Sequence, residues 1–171
     1  MYLAELVLRI GQECENVGKS LAKELGLSPP SGLIEDLNFP RLGTLLCTTV
    51  PLKTKTVEVR WIYQSLTNKL LSPFDSWSTG TSTNPAWYVA YNGLKHDRNA
   101  NFRQATYRNV LEGLAGLFIL NLWLRKDEIE ANSEWVVLAR KRVTSYSELF
   151  DPSSFLQLGQ GSTQQKLRLV S

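Results

Sequence analysis

One polar, basic and aromatic segment, from Trp87 to Arg103, holds the residue types in this chain that could do chemistry. It contains His96, the single histidine. An imidazole titrates near neutral pH, so it can act as acid or base when a ribose 2′-hydroxyl attacks the adjacent phosphate. That reaction also needs a cation to stabilise the developing charge. The segment therefore indicates phosphodiester chemistry. The alternative stays open, because a lone histidine on a helix is more commonly a packing or surface residue.

Helical spacing would place several polar residues of this segment on one face. Asn92 and His96 are four residues apart, and Asn99 follows three residues later. Residues at these spacings are neighbours on a helix surface. If the helix continues, Arg103 rejoins the same face. An adjacent stripe consists of Tyr91, Lys95 and Arg98. We predict that the catalytic residues are His96, Asn92 and Arg98.

Positive charge is concentrated in the same part of the chain. Between residues 95 and 108, four cations stand against the carboxylate of Asp97, and this local charge of +3 equals that of the whole chain. Such a patch attracts anions, and two rings beside it, Trp87 and Tyr91, could stack on unpaired bases. The alternative for these rings is the core, where large aromatic side chains are usually buried. The predicted nucleic-acid contacts are Lys95, Arg98, Arg103, Arg108, Tyr91 and Trp87.

Composition limits the classes of protein that remain. The 171 residues are 43% hydrophobic and 20% charged, which is typical of one folded domain. We assign residues 1–158 to that domain and residues 159–171 to a loosely ordered tail. The sequence has no glycine-rich phosphate loop and no zinc-ligand spacing, so we predict no cofactor and no metal site. Its two cysteines lack a paired motif, which favours a reduced, cytoplasmic protein.

The apolar pattern predicts a mainly α-helical bundle with one small β-hairpin. Apolar residues recur every three or four positions in the segments 2–25, 85–99 and 104–125. Gly26 is a stop signal for the first helix, and a short helix is expected at Leu33–Leu37, ended by Pro40. Strand-favouring residues between 45 and 63 predict the hairpin, with its turn at Pro51–Lys55. The segment from Glu134 to Phe150 fits helix or strand equally.

The segment 104–124 is apolar around nearly its whole circumference. Such a helix is buried on several sides, either centrally or partly in a subunit interface. Its small residues Gly113, Ala115 and Gly116 would let another helix approach closely. The apolar stretch Val110–Leu124 is shorter than the roughly 20 residues that cross a bilayer, so no membrane span is expected.

The run Tyr91-Asn92-Gly93-Leu94-Lys95-His96, followed by Asp97-Arg98 and a long apolar helix, resembles the HEPN superfamily of helical domains. The hallmark of that superfamily is an arginine, a polar residue that is often asparagine, three variable residues and a histidine. Asn92 matches the polar position and His96 the histidine, whereas Tyr91 stands where the arginine should be. The resemblance, which covers residues 1–25 and 85–125, implies a bundle that dimerises through the motif helix and the segment 104–125. In active members two copies of the motif form a metal-independent ribonuclease site.

The tyrosine at position 91 leaves two functions open, because a neutral phenol cannot clamp a phosphate as a guanidinium does. If Lys95, Arg98 or Arg103 supplies the charge, the resemblance implies a protein of a microbial toxin–antitoxin or phage-defence system. Such a protein would bind RNA or a nucleotide-containing ligand, cleave RNA, and pair with a partner or antitoxin protein. If no residue compensates, the chain is a non-catalytic helical interaction or regulatory module. The same residues then make structural hydrogen bonds at a helix end.

Overall fold

A computed structural model describes residues 2–59, 69–77, 84–131, 150–151, 156–158 and 167–169. Most of these residues are helical, which confirms the predicted mainly α-helical bundle with a small hairpin. The helices are α1 (Tyr2–Glu24), α2 (Phe39–Leu46), α3 (Ala86–His96), α4 (Arg98–Asn101), α5 (Tyr107–Leu124) and α6 (Lys126–Ala131). The strands are β1 (Val57–Val59), β2 (Lys69–Leu71), β3 (Phe150–Asp151), β4 (Leu156–Leu158) and β5 (Leu167–Leu169).

The first helix, α1, ends where the sequence predicted. Gly26 has a φ of 63°, a left-handed conformation that glycine adopts without a Cβ clash. Its N–H donates to the carbonyl of Lys23, and the N–H of Leu27 donates to that of Ala22, both at 2.9 Å. This pair of bonds satisfies carbonyls of the last helical turn and stops the helix.

Helix α5 forms the centre of the bundle, and α1 packs along it. Two glycines permit close packing around it. A Cβ on Gly113 would lie 3.0 Å from Cγ2 of Ile10, and a Cβ on Gly116 would lie 3.1 Å from Cζ of Phe74. Ile119, in the same helix, is fully buried. The predicted central helix, with small residues that admit a neighbour, is therefore confirmed.

Helix α5 begins at Tyr107, three residues later than its pattern predicted. Thr106 has an extended backbone, and its hydroxyl accepts a hydrogen bond from the N–H of Asn109 at 3.2 Å. A side-chain oxygen in this position satisfies one of the free donors of the first helical turn. The start of the central helix is therefore set by this cap.

The segment around Pro40 differs from its prediction. The expected helix at Leu33–Leu37 is only a 3-10 turn, Ile34–Asp36, and Pro40 does not end it. The proline lies instead in the first turn of α2, where its missing N–H costs nothing. The side chain of Asn38 caps this helix by accepting from the N–H of Arg41 at 3.1 Å.

The small sheet uses only part of the predicted hairpin. Strand β1 pairs antiparallel with β2, so that Val57 lies opposite Leu71, and β3 lies on its other side. Residues 45 and 46 belong to α2 instead, because the helical packing of the fully buried Leu46 overrides the strand preference of the following threonines. The predicted turn forms a 3-10 turn, Leu52–Thr54, and the partner strand comes from later in the chain.

Two other predictions fall mostly outside the described residues. Of the segment from Glu134 to Phe150, only Phe150 is described, in β3. In the predicted tail, residues 159–166 and 170–171 lie outside the described residues. Residues 167–169 form β5, which pairs antiparallel with β4.

Candidate functional site

The segment that could do chemistry is divided by a break at Asp97. Helix α3 ends at His96, since Asp97 has φ −147° and ψ 92°. The carboxylate of Asp97 accepts a hydrogen bond from the N–H of Ala100 at 3.0 Å and so caps the short helix α4. The predicted helix 85–99 therefore ends three residues early. The expectation that Asn99 shares the face of His96 on one helix is wrong, because Asp97 caps a new helix. The helix does not continue, so the condition under which Arg103 would rejoin that face is not met.

Asn101 fastens the two sides of this break together. Its Nδ2 donates to the carbonyl of Gly93 at 3.1 Å and to that of Asp97 at 2.8 Å. Its Oδ1 accepts from Nε2 of Gln104 at 2.9 Å. A Cβ on Gly93 would lie 2.9 Å from the carboxamide carbon of Asn101, so glycine is needed for this approach. Sequence reasoning missed Asn101 and Gln104, because only the break at Asp97 gives them this role.

Asn92 and His96 share one face of α3, as their spacing predicted. Both side chains are exposed, and Val89, one turn earlier, is 49% exposed. We call the surface formed by Val89, Asn92 and His96 the outer α3 face. Within the part of the chain that the structure describes, Asn92 and His96 side chains have no hydrogen bond or ion pair. Arg98, the third predicted catalytic residue, lies beyond the break, on α4.

The two predicted base-stacking rings are buried. Trp87 is 2% exposed and Tyr91 is 1% exposed. Nε1 of Trp87 donates to the carbonyl of Pro73 at 2.8 Å, and the ring meets Phe74 edge-on. The Tyr91 ring lies against Gly11 of α1, which has no side chain to obstruct it. The base-stacking prediction is therefore wrong for both rings, and the core alternative is correct.

Three of the four predicted cations are paired with carboxylates. Nζ of Lys95 lies 3.7 Å from Glu15, and Nη2 of Arg98 lies 3.5 Å from Glu5. Arg108 contacts Glu112, one turn further along α5, at 2.8 Å. The fourth, Arg103, is exposed and has no ion pair with any described residue.

These pairs reduce the local excess of positive charge. Lys95 contacts Glu15 and Arg98 contacts Glu5, and Arg9 of α1 also contacts Glu5. Both acids belong to α1, more than 75 residues earlier in the sequence. A count of charges along the segment could not include them. The anion-binding patch stays a prediction.

Lys95, Tyr91 and Glu15 form a partly buried cluster. The Lys95 ammonium lies 5.3 Å from the centre of the Tyr91 ring. The Tyr91 hydroxyl and then the Glu15 carboxylate raise the pKa of Lys95, so it stays charged. Burial raises the pKa of Tyr91, and its hydroxyl has no hydrogen bond of regular geometry with any described residue. At physiological pH Tyr91 is thus neutral, and it cannot supply the positive charge of the motif arginine.

A cavity lies away from this cluster, at the start of α3. Its volume is about 340 Å³, and its polar lining comes from Ser72, Asp75, Ser76, Arg108 and Glu112. Among the predicted site residues, Arg108 alone borders this cavity. Nothing in the sequence pattern indicated the cavity. No group of three or more metal-binding side chains is found among the described residues.

The chain matches no family model, no curated protein and no solved structure. None of its described helices is both long and apolar enough to cross a membrane. The resemblance to the HEPN superfamily stays a prediction.

Proposed function

We propose that this chain is a non-catalytic helical interaction module that binds a partner through the outer α3 face. One observation carries the proposal: the cations expected to hold RNA at the motif are paired with carboxylates of α1. Lys95 and Arg98 contact Glu15 and Glu5, so each of these two cations has a carboxylate neighbour. Non-specific binding of nucleic acid depends on cations that are free to neutralise phosphates.

The hydrogen bonds around Asp97 support the same proposal. Two polar residues that follow His96 bind the backbone at helix ends: Asp97 caps α4, and Asn101 donates to the carbonyls of Gly93 and Asp97. Structural hydrogen bonds at a helix end are what we expect of this segment in an interaction module. His96 then contributes a surface contact and no proton transfer.

The partner that we propose is a second copy of the chain. Helix α5, which was also expected in the interface, is largely used in the core, and Tyr107 is its one exposed apolar side chain. The outer α3 face instead presents an exposed apolar side chain, Val89, beside the polar residues. We also propose a cytoplasmic location, which the two free cysteines favour.

Light scattering over a range of protein concentrations tests the partner. We expect a dimer for the wild type and a monomer for Val89→Glu, because a buried unpaired carboxylate opposes association. Leu33→Glu is the matched control, since Leu33 is 65% exposed but lies in the loop before α2. A monomeric wild type, or equal effects of the two substitutions, would contradict the proposal.

Metal-independent ribonuclease activity is the second candidate. It is favoured by one observation, the exposure of Asn92 and His96 one turn apart on α3. Wild type and His96→Ala are incubated with a pool of single-stranded RNA in EDTA, and circular dichroism checks that both are folded. The interaction module predicts no cleavage by either protein. Cleavage that is lost in His96→Ala would reject the module and establish the ribonuclease.

A further inference from the structure

The cavity of about 340 Å³ at the start of α3 lies where three parts of the fold meet. Its borders are the end of β2 with the turn that follows it, the first residue of α3, and the first two turns of α5. Charged side chains line it from two of these parts: Asp75 from the turn, and Arg108 and Glu112 from α5. Its volume falls within the range of about 300–1,000 Å³ that is usual for small-molecule sites. The cavity can therefore hold a small molecule.

The core holds the turn that borders this cavity. Phe74, next to Asp75 in the turn, is fully buried and stacks on the Trp77 ring, with the ring centroids 5.1 Å apart. Nε1 of Trp87, in α3, donates to the carbonyl of Pro73 at 2.8 Å and fastens the turn to the helix. This wall of the cavity is therefore formed before a ligand arrives, and binding need not supply the free energy of ordering it.

Two opposite charges border the cavity without forming an ion pair with each other. Nε of Arg108 donates to Glu112 at 2.8 Å, and the Glu112 side chain, which is only 15% exposed, holds the guanidinium in place. The other nitrogens of this guanidinium donate to no described residue, and the Arg108 side chain is 74% exposed, so a solute can reach them.

Asp75 is the opposite charge. Its carboxylate is exposed, and it has neither an ion pair nor a side-chain hydrogen bond with any residue that the structure describes. Its charge nevertheless reaches across the cavity: the Glu112 carboxylate, and to a smaller extent Asp75, raise the pKa of Arg108. The cavity therefore offers a ligand both cationic donors and an anionic acceptor.

The rest of the lining is partly apolar. Leu71, Pro73 and Pro85 are buried residues that border the cavity. Ser72 and Ser76 border it too, and their hydroxyls have no hydrogen bond within the described part of the chain. A hydroxyl donates as well as accepts, so these two can assist either charge of a ligand. The lining thus suits a small molecule that has an apolar group beside its charges.

We propose that this cavity binds a free α-amino acid with an apolar side chain. Its carboxylate accepts from the open nitrogens of Arg108, because guanidinium and carboxylate groups are planar and pair well. Its ammonium donates to the carboxylate of Asp75, and its side chain lies against Leu71. A ligand with a single charge would leave Arg108 or Asp75 unmatched, whereas a zwitterion matches both. The site is separate from the outer α3 face and does not require the proposed dimer.

Isothermal titration calorimetry of the wild type with L-leucine and L-valine tests the ligand class. Two analogues of leucine each lack one charge: isocaproate has no ammonium, and isoamylamine has no carboxylate. We expect both amino acids to bind, and each analogue to bind about tenfold more weakly than L-leucine, because it loses a hydrogen-bonded charge. No binding of either amino acid up to millimolar concentration would overturn the proposal, as would an analogue that binds as tightly as L-leucine.

Arg108→Gln and Asp75→Asn locate the ligand. Each removes one charge from the cavity, so we expect each to weaken the binding of L-leucine about tenfold. The matched controls are Arg9→Gln and Asp36→Asn. Arg9 forms the same kind of ion pair one helical turn from Glu5 on α1, and Asp36 is exposed in a 3-10 turn that does not border the cavity. We expect both controls to bind like the wild type, and equal losses in test and control variants would reject this site.

The analogues also assign each charge to its side chain. Asp75→Asn should bind L-leucine and isocaproate equally, and Arg108→Gln should bind L-leucine and isoamylamine equally. Exchanged preferences would contradict the proposed orientation. Circular dichroism checks that the variants are folded, and the analogue comparison on the wild type keeps the test valid if one of them is not. The dimer measurement does not involve this cavity, so each proposal can fail alone.

Discussion

Asn101 holds the corner between α3 and the loop before α5 with its single carboxamide. We expect Asn101→Ala to lower the free energy of unfolding by about 1–3 kcal/mol, since the change removes three hydrogen bonds and leaves carbonyls unpaired at a helix end. Urea denaturation measures this loss. Asn99→Ala is the control, because Asn99 is exposed on the same short helix and its side chain has no hydrogen bond with described residues. It should change stability by less than about 0.5 kcal/mol.

Tyr88 gives the protein a pH dependence above pH 10. Burial, with a smaller contribution from Glu15, raises the pKa of this tyrosine from 10.0 to about 12. The unfolded chain therefore loses this proton first, so stability is full below pH 10 and falls as the pH rises towards 12.

Tyr88→Phe should remove that part of the decline, as followed by thermal unfolding between pH 9 and 12. Tyr107→Phe, at a side chain that is 71% exposed, should leave the decline unchanged. The same slope in the wild type and Tyr88→Phe would contradict the assignment.

The contact between α1 and α3 depends on one missing side chain. A Cβ on Gly11 would lie 2.3 Å from the Tyr91 ring, far closer than packed atoms approach. We expect Gly11→Ala to destabilise the protein by about 1–3 kcal/mol, although alanine is the better helix former. Thermal unfolding compares it with Gln12→Ala, an exposed position of the same helix, which should be almost neutral. A stabilising Gly11→Ala would mean that α3 does not pack there.

The hydroxyl of Thr106 caps the start of α5. Thr106→Ala should cost about 1 kcal/mol, because it removes the acceptor for the N–H of Asn109. Thr106→Ser keeps the hydroxyl and should retain most of the stability in urea denaturation. Equal losses in the two variants would assign the effect to the threonine methyl group instead of the cap.

The architecture of the bundle could be predicted from the sequence better than the candidate site. Apolar spacing is a local property, so it located α1, α3 and α5 and the stop at Gly26. The end of α3 was predicted three residues too late, because an aspartate inside a polar run resembles a solvated helix residue as much as a helix cap. The ion pairs of Lys95 and Arg98 were also missed, because Glu5 and Glu15 are distant in sequence. Burial of Trp87 and Tyr91 likewise depends on partners in other elements.

The packing of α1 on α5 also has a consequence for synthesis. The Sγ of Cys14 donates to the carbonyl of Gly113, 99 residues further along the chain. At about 5–20 residues per second, a ribosome needs roughly 5–20 seconds to make the residues between them. During that time the part of the apolar face of α1 that packs on α5 stays uncovered. Completion of the core therefore waits for α5 to leave the exit tunnel.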